Sequence, residues 1–187
     1  QNLGGAGDAW AITEAPPFVH SNGNVYVMSN GAAGFGASGK VYSFQSDGTP
    51  LPGFTPLDVN GEFSGGFAEA ADGTLIATGK GTGVFHRSVQ AFHPDTGASL
   101  WTADRGSGGG RLGEIEGPPV IVGNSVVVNT GNRTDTAAFD IATGTKTVWR
   151  NNSGRPDGGV VVGKSNGTDA VFAATSQGVA AIAFGGG

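Results

Sequence analysis

The stretch Val89-Gln-Ala-Phe-His-Pro-Asp-Thr-Gly-Ala-Ser-Leu-Trp101 decides the fold, because its pattern recurs along the whole chain. Its central apolar residue, Phe92, has counterparts at Phe44, Phe139 and Ile182. Starting from Phe44, the intervals between these positions are 48, 47 and 43 residues. Self-similarity at such a period is typical of architectures that repeat one supersecondary unit. The sequence therefore predicts four copies of one unit.

Each period divides into short apolar segments separated by turn signals, which predicts up to four strands per copy. A tight hairpin with positive φ is expected between the first and second strands, at Asn22-Gly23, Asp72-Gly73 and Asn166-Gly167. The predicted strands are residues 17–20, 24–29, 40–45 and a proline-interrupted 51–54; 66–70, 74–78, 88–93 and 99–103; 118–122, 125–129, 136–141 and 146–150; and 159–162, 169–174 and 178–184.

The composition agrees with an all-β chain. Of 187 residues, 36 are Gly, 9 are Pro, none is Cys, and only 13% are charged. Helical bundles and coiled coils need many more charged residues and far fewer glycines. Repeated four-stranded units of this length are the signature of β-propeller blades. The predicted fold class is an all-β, four-bladed β-propeller of four-stranded antiparallel blades.

A second aromatic anchor predicts how the ring closes. Trp10, Phe54, Trp101 and Trp149 are separated by 44, 47 and 48 residues, so they occupy one frame and are expected to be structural residues that dock neighbouring blades. The fourth copy lacks an outer strand of its own, and an open strand edge invites aggregation. We therefore expect the N-terminal residues 8–12 to complete the last blade.

The chain is predicted to be a single propeller domain, residues 1–187. Besides a closed four-bladed monomer, the pattern permits two chains in one eight-bladed ring, or a head-to-tail polymer made by strand addition. The prolines at 16–17 and 118–119, and the glycines at 65–66 and 158–159, open the first strands and suit a narrow hub. The predicted blades run from about 14 to 56, 62 to 104, 115 to 152, and 157 to 187 together with 8–12.

The repeat resembles the pyrroloquinoline-quinone-type, or quinoprotein-like, propeller repeat. Residues 89–101 and Thr136-Ala-Ala-Phe-Asp-Ile-Ala-Thr-Gly-Thr-Lys-Thr-Val-Trp149 carry the resemblance, with an aliphatic-x-Ala-Phe segment, a Thr-Gly turn and a strand that ends in Trp. The first and fourth copies are degenerate. The resemblance implies a propeller found in quinoprotein dehydrogenases, in an outer-membrane assembly lipoprotein and in many bacterial surface proteins.

Four acidic residues near the starts of the inner strands form a candidate metal site. Glu14 and Glu116 each precede a proline pair by two residues, and Glu62 and Asp157 lie near the matching positions of the other blades. Carboxylates that converge on an axis recruit a hard cation such as Ca²⁺ or Na⁺. The alternative interpretation is a set of solvated carboxylates around the channel mouth.

Other pattern matches have structural interpretations. Residues 158–165 match a phosphate-binding loop, but their three valines are expected to be a strand with no helix after it. The glycine-rich stretches 34–39 and 108–113 open no helix either, so they are read as loops. His20, His86 and His93 lack metal-ligand spacing and are interpreted as surface or strand-end histidines. No nucleophile elbow is present.

The net charge and the first residue of the chain bear on which classes of partner and which location the sequence predicts. A net charge of −5 with 10 Lys and Arg residues excludes the basic footprint of nucleic-acid binding, and no apolar run is long enough for a membrane span. Because the chain starts at Gln1, we expect a processed chain or a fragment, with an extracellular or periplasmic location. Glycosylation candidates stand at Asn132, Asn151 and Asn166.

These observations predict a non-catalytic exported module for binding or scaffolding, with a protein or glycan partner, no cofactor, and self-assembly as an option. One alternative is a structural subunit of a head-to-tail extracellular fibre. Another is a small quinoprotein-type oxidoreductase. The resemblance implies that quinone-binding members use a larger ring, a stacking Trp and a Ca²⁺ site with a catalytic Asp, whereas the three Trp residues here are assigned to blade docking.

Overall fold

The computed structural model describes residues 15–29, 39–59, 62–80, 88–103, 115, 117–130, 135–151 and 156–183. Within these ranges the chain is built from fifteen β-strands and no helix. The strands are β1 (Phe18–Val19), β2 (Val25–Ser29), β3 (Gly39–Phe44), β4 (Leu57–Val59), β5 (Glu62–Glu69), β6 (Leu75–Lys80), β7 (Ser88–Phe92), β8 (Ser99–Ala103), β9 (Val120–Val122), β10 (Ser125–Thr130), β11 (Asp135–Asp140), β12 (Lys146–Asn151), β13 (Pro156–Ser165), β14 (Thr168–Thr175) and β15 (Gly178–Ala183).

The strands form four separate antiparallel sheets, one for each predicted repeat. The first sheet has the order β1-β2-β3-β4, the second β5-β6-β7-β8 and the third β9-β10-β11-β12, each a meander of sequential neighbours. The fourth sheet contains β13-β14-β15. The all-β class is therefore confirmed, as is the number of strands in each repeat, whereas ring closure and the count of four blades stay predictions. Residues 8–12, which were predicted to complete the last blade, lie outside the described residues.

The fourth strand of the first sheet was predicted in the wrong place. Residues 51–54 are not a strand, and β4 lies later, where Leu57 pairs with Val41 and Val59 pairs with Gly39. Pro50 and Pro52 interrupt the ladder because proline has no N–H to donate, so only an isolated bridge between Phe44 and Pro50 forms there.

The hairpin turns agree better with the sequence. Gly23 and Gly73 have φ of 86° and 83°, and in the last hairpin both Asn166 and Gly167 have positive φ, at 51° and 81°. Only the last turn therefore has positive φ at both central positions. The stretch that matches a phosphate-binding loop is part of β13, as predicted.

Apolar side chains pack between consecutive sheets. Tyr26 and Met28 of the first sheet meet Phe67, Leu75 and Phe92 of the second. A similar cluster joins the second sheet to the third, and a smaller one joins the third to the fourth. The order of packing is thus first, second, third, fourth. In the described part of the chain no such cluster joins the fourth sheet to the first.

The inner strands approach one another closely around Pro118. A Cβ placed on Gly66 would lie 2.8 Å from the Cβ of Pro118, and one placed on Gly159 would lie 3.5 Å from its Cδ. Any side chain at Gly66 would therefore push the second and third sheets apart. This contact explains why small and kinked residues stand at these positions.

Candidate functional site

The short turns that join first to second strands, and third to fourth strands, lie at one end of every sheet, because alternate connections of a meander share an end. We call this end the tight-turn face. In the first two sheets it consists of residues 20–24, 69–74 and 93–98, together with 45–49, the tight turn with which the longer β3–β4 connection begins. Contacts between turns of neighbouring sheets confirm that they meet: the Asn22 side chain donates to Asp95 Oδ1 at 3.2 Å, and the Tyr26 hydroxyl donates to the Pro94 carbonyl at 2.8 Å.

Carboxylates hold these turns in shape. Asp47 Oδ1 accepts the backbone N–H of Thr49 at 2.9 Å and its hydroxyl at 2.7 Å, and Asp72 Oδ1 accepts the Thr74 N–H at 3.0 Å. Because a hydrogen bond to an ionised carboxylate favours that form, the backbone bonds from Thr49 and Thr74 lower the pKa of Asp47 and Asp72. Both exposed side chains are therefore negatively charged near neutral pH.

His20 joins the first sheet to the second. It is only 5% exposed, and its Nε2 is 2.9 Å from the carbonyl oxygen of Gly73 and 3.4 Å from Glu69 Oε1. Its Nδ1 lies 3.1 Å from the backbone N of Asn22, which donates to it. These partners assign the ring proton to Nε2, which donates to Gly73. Both ring nitrogens are thus engaged in holding two turns together.

The carboxylate of Glu69 adds to the contact that His20 makes between the first two sheets. Its Oε2 accepts the backbone N–H of Ser21 at 3.0 Å, so one carboxylate contacts both the ring and the turn that follows it. The sequence analysis interpreted His20 as a surface or strand-end histidine; it does directly follow β1, but it is buried, and its contact with the neighbouring sheet was not predicted. No local signal reveals the role, because it depends on which turn of the neighbouring sheet lies opposite.

Trp101 docks the second sheet on the third. Its indole Nε1–H donates to the carbonyl of Ile141 at 2.6 Å, and its ring covers Gly144 in the β11–β12 turn. A Cβ placed on Gly144 would lie 2.6 Å from the Cε3 of Trp101. The indole is therefore in contact with the turn of the next sheet through both its N–H and its face.

Phe54 makes the corresponding contact between the first sheet and the second. Its ring lies over Gly97, where an added Cβ would be 3.2 Å from the Cζ of Phe54, and the neighbouring Thr55 N–H donates to the Thr96 carbonyl at 3.0 Å. Trp10 lies outside the described residues. For Trp149 the structure gives the backbone in β12, paired with Ala137, and not the side chain.

Gly144→Ala tests the fit of Trp101. Gly144 and Gly123 both have positive φ, 69° and 55°, so alanine carries a backbone penalty of about 1–2 kcal/mol at either position. A Cβ at Gly123 meets no described atom within 4 Å, whereas one at Gly144 collides with the indole. We expect Gly144→Ala to lower the free energy of unfolding by about 1–3 kcal/mol more than Gly123→Ala does. Guanidinium denaturation measures both losses. Equal losses would contradict the contact.

The candidate metal residues are only partly located. Glu14 and Glu116 lie outside the described residues. Glu62 is the first residue of β5, where a register irregularity begins, and Asp157 is the second residue of β13, within a similar irregularity between Pro156 and Val160. Their side chains are not described, so the cation site stays a prediction. Among the side chains that are described, no three His, Asp or Glu residues could hold a metal ion.

The structure describes two of the three glycosylation candidates. Asn132 lies outside the described residues, Asn151 is the last residue of β12, and Asn166 lies exposed in the turn between β13 and β14. No helix in the described ranges has the length and hydropathy to cross a membrane.

Comparison with solved structures shows the same fold. BamB from Moraxella catarrhalis is 19% identical with a TM-score of 0.61; the match covers 91% of this chain and 43% of that one. The computationally designed Ika4 protein is 20% identical with a TM-score of 0.58, covering 94% of this chain and 93% of that one. A luciferin-regenerating enzyme is 12% identical with a TM-score of 0.54, covering 86% and 53%.

No curated protein matches the chain in sequence. The sequence profile described as outer membrane protein assembly factor BamB, a PQQ-type repeat profile, matches residues 58–183. That range holds the two repeats with the Ala-Phe, Thr-Gly and Trp pattern, and it includes the Trp101 contact with Gly144. The protein thus belongs to the BamB-like family of PQQ-type repeat propellers.

Proposed function

We propose that this chain is a non-catalytic protein-binding scaffold, exported from the cytoplasm, which presents the tight-turn face of its first two sheets to a basic segment of a partner. The observation that carries the proposal is the charge of that face. Its turns carry Asp47, Glu69, Asp72 and Asp95, and they contain no Lys or Arg. Asp47, Asp72 and Asp95 are exposed, so their charges face solvent.

The hydrogen bonds of this face favour a scaffold over a catalyst. Both nitrogens of His20, the groups best suited to proton transfer, are already hydrogen-bonded, Nε2 to the turn of the second sheet at Gly73 and Nδ1 to its own turn at Asn22. The backbone bonds at Asp47 and Asp72 keep those carboxylates ionised and fixed in place. Fixed charges of one sign on rigid turns support electrostatic recognition of a partner.

Family membership supports a protein partner and an exported location. The matching profile is named for a factor in outer membrane protein assembly. This chain spans 43% of the BamB chain with which it was compared, so a role in such assembly is itself part of the proposal. A fold alone hosts many functions, and the luciferin-regenerating enzyme shares this one.

The quinoprotein alternative has less support from the described residues. A quinone needs an indole face on which to stack, and the face of Trp101 is in contact with Gly144. The proposal therefore includes no redox cofactor. Mixing the protein with pyrroloquinoline quinone and Ca²⁺ should leave the quinone absorbance unchanged, and a saturable spectral shift would support the oxidoreductase instead.

A charge-removal experiment tests the proposed binding face. The probe is a fluorescein-labelled peptide of eight lysines, followed by fluorescence anisotropy at two salt concentrations. The double variant Asp47→Asn and Asp72→Asn keeps a side-chain oxygen to accept each turn hydrogen bond and removes both charges. We expect its affinity for the peptide to fall about fivefold or more, with a weaker salt dependence.

The matched control makes the same change of net charge at the same end of the third and fourth sheets, outside the proposed binding surface of the first two sheets. Asp140→Asn with Asp169→Asn removes two charges from the third and fourth sheets, and Asp169 is already paired with Lys164. We expect this control to change the affinity less than twofold. Equal losses in the two double variants would mean that net charge alone attracts the peptide, and would contradict the proposed face. Glycan-array binding that ignores Asp47 and Asp72 would favour a lectin.

A further inference from the structure

Two hairpin turns of this chain contain the same tripeptide, Ser-Asn-Gly, at residues 21–23 and 165–167. In both turns the asparagine and the glycine are exposed, and a Cβ placed on either glycine would meet no described atom within 4 Å. Local sequence, access to solvent and steric crowding are therefore matched. The two turns differ in their hydrogen bonds.

In the first turn, Asn22 and Gly23 are held by three hydrogen bonds. The Asn22 Nδ2 donates to Asp95 Oδ1 at 3.2 Å, and the Asn22 Oδ1 accepts the Asn24 N–H at 2.9 Å. The Gly23 N–H donates to the His20 carbonyl at 2.9 Å. The side-chain amide and the backbone nitrogen that follows it must therefore give up these partners before they can react with each other.

The last hairpin has a shorter loop. Ser165 pairs directly with Thr168, so the loop contains only Asn166 and Gly167, which have φ of 51° and 81°. In a two-residue loop the closing hydrogen bonds are made by the flanking residues. Among the described residues, neither the Asn166 side chain nor the Gly167 N–H has a hydrogen-bond partner. The two groups can therefore approach each other without breaking a bond.

We propose that Asn166-Gly167 is a site of spontaneous deamidation, whereas Asn22-Gly23 is protected by its hydrogen bonds. Asparagine is one of the thermolabile residues of proteins. A glycine after it favours the reaction, because no side chain shields the attacking nitrogen and the backbone is free to adopt the required conformation.

The reaction consists of ring closure followed by hydrolysis. The Gly167 nitrogen attacks Cγ of Asn166, so that an N–Cγ bond forms and closes a succinimide while the Cγ–Nδ2 bond breaks. Nδ2 leaves as ammonia and takes with it the proton of the Gly167 N–H. Water then adds to either carbonyl of the ring and opens it. The product is an aspartate or an isoaspartate, each with a negative charge where the amide was neutral.

The reaction would change both the charge and the backbone of the tight-turn face at the fourth sheet. The β13–β14 turn belongs to this face, because it joins a first strand to a second. In isoaspartate the main chain runs through Cβ, so an extra backbone atom enters the loop that sets the register of Ser165 with Thr168. The inference goes beyond the proposed binding function, since it concerns a reaction within the chain and requires no partner.

Incubation of the folded protein at mildly alkaline pH, followed by peptide mapping with mass spectrometry, measures both sites in one sample. The unglycosylated chain is used, because a glycan on Nδ2 would hinder the departure of that nitrogen. We expect Asn166 to be converted faster than Asn22 by about tenfold or more. An isoaspartate methyltransferase assay on the same peptides detects the rearranged product. Equal rates at the two sites, or faster conversion of Asn22, would overturn the proposal.

The unfolded protein is the control for local sequence. In guanidinium the hydrogen bonds of both turns are lost, so the two Ser-Asn-Gly sites should be converted at similar rates. If Asn166 reacted much faster than Asn22 under these conditions as well, the difference would come from sequence and would contradict the proposal. Conversion of Asn166 in the unfolded chain but not in the folded chain would contradict it too.

Two variants of Asp95 test the cause of the protection. Asp95→Ala removes the acceptor of the Asn22 amide, whereas Asp95→Asn removes the same charge but keeps an oxygen that can accept. We expect the alanine variant to speed the conversion of Asn22 several-fold, the asparagine variant to change it little, and neither to affect Asn166. An unchanged rate at Asn22 in Asp95→Ala would overturn the protective role of this hydrogen bond. None of these measurements uses a basic peptide, so their failure is distinct from failure of the proposed binding function.

Discussion

Trp101→Ala should lower the free energy of unfolding by about 3 kcal/mol or more, near the lower end of the loss when a buried aromatic residue is truncated, because the ring is half-buried between two sheets. The substitution removes the ring from Gly144 and leaves the Ile141 carbonyl without its indole donor. Since whole domains are stable by only about 5–15 kcal/mol, this loss approaches the stability of the fold. Guanidinium denaturation followed by circular dichroism measures it.

Two variants separate the parts of that contact. Trp101→Phe keeps most of the packing and loses the hydrogen bond, so we expect a loss of about 1–2 kcal/mol. Leu100→Ala changes the preceding, exposed residue and should alter stability by no more than about 0.5 kcal/mol. A loss below about 1 kcal/mol for Trp101→Ala would show that the indole does not hold the second and third sheets together.

His20→Ala should cost about 2–4 kcal/mol of unfolding free energy. The change leaves two backbone groups without their partner, the Gly73 carbonyl and the Asn22 N–H, and opens space beside the Tyr26 ring, whose centroid is 5.9 Å away. Orphaned buried polar groups cost about 1–3 kcal/mol each when water cannot replace the partner. Thermal and guanidinium denaturation measure the loss.

His93 is a matched control for His20. Its Nδ1 also accepts the backbone N–H of the second residue after it, Asp95, at 3.2 Å, but its side chain is 50% exposed. We therefore expect His93→Ala to change stability by about 0.5 kcal/mol or less. If the two alanine variants had the same free energy of unfolding, the contact that His20 makes between the sheets would not contribute to stability.

The predictions that succeeded depend on local patterns. The short apolar run at residues 126–128 predicts a buried strand, and Asn166-Gly167 predicts a tight hairpin turn, because each signal is contained within a few residues of one repeat. The misplaced fourth strand of the first sheet shows the limit. Leu51 looked like the start of a strand, but the prolines beside it lack the donors, and Leu57 pairs instead.

Less of the candidate site than of the fold could be predicted from the sequence. The frame of Phe54 and Trp101 follows from spacing, but the partners of those rings lie in the next repeat. His20 is harder still, since its bond to Gly73 spans 53 residues and matches no motif. Contacts between repeats depend on how sheets are stacked, and a periodic sequence does not encode that stacking at any one position.

The order in which the sheets pack has a consequence for how the molecule comes apart. Phe54 contacts a turn of the second sheet, and Trp101 contacts a turn of the third, so each of these contacts couples a sheet to its nearest neighbour. In such a linear array cooperativity weakens with distance. Among the described residues no apolar cluster joins the fourth sheet to the first, so these two sheets should lose structure before the second and third.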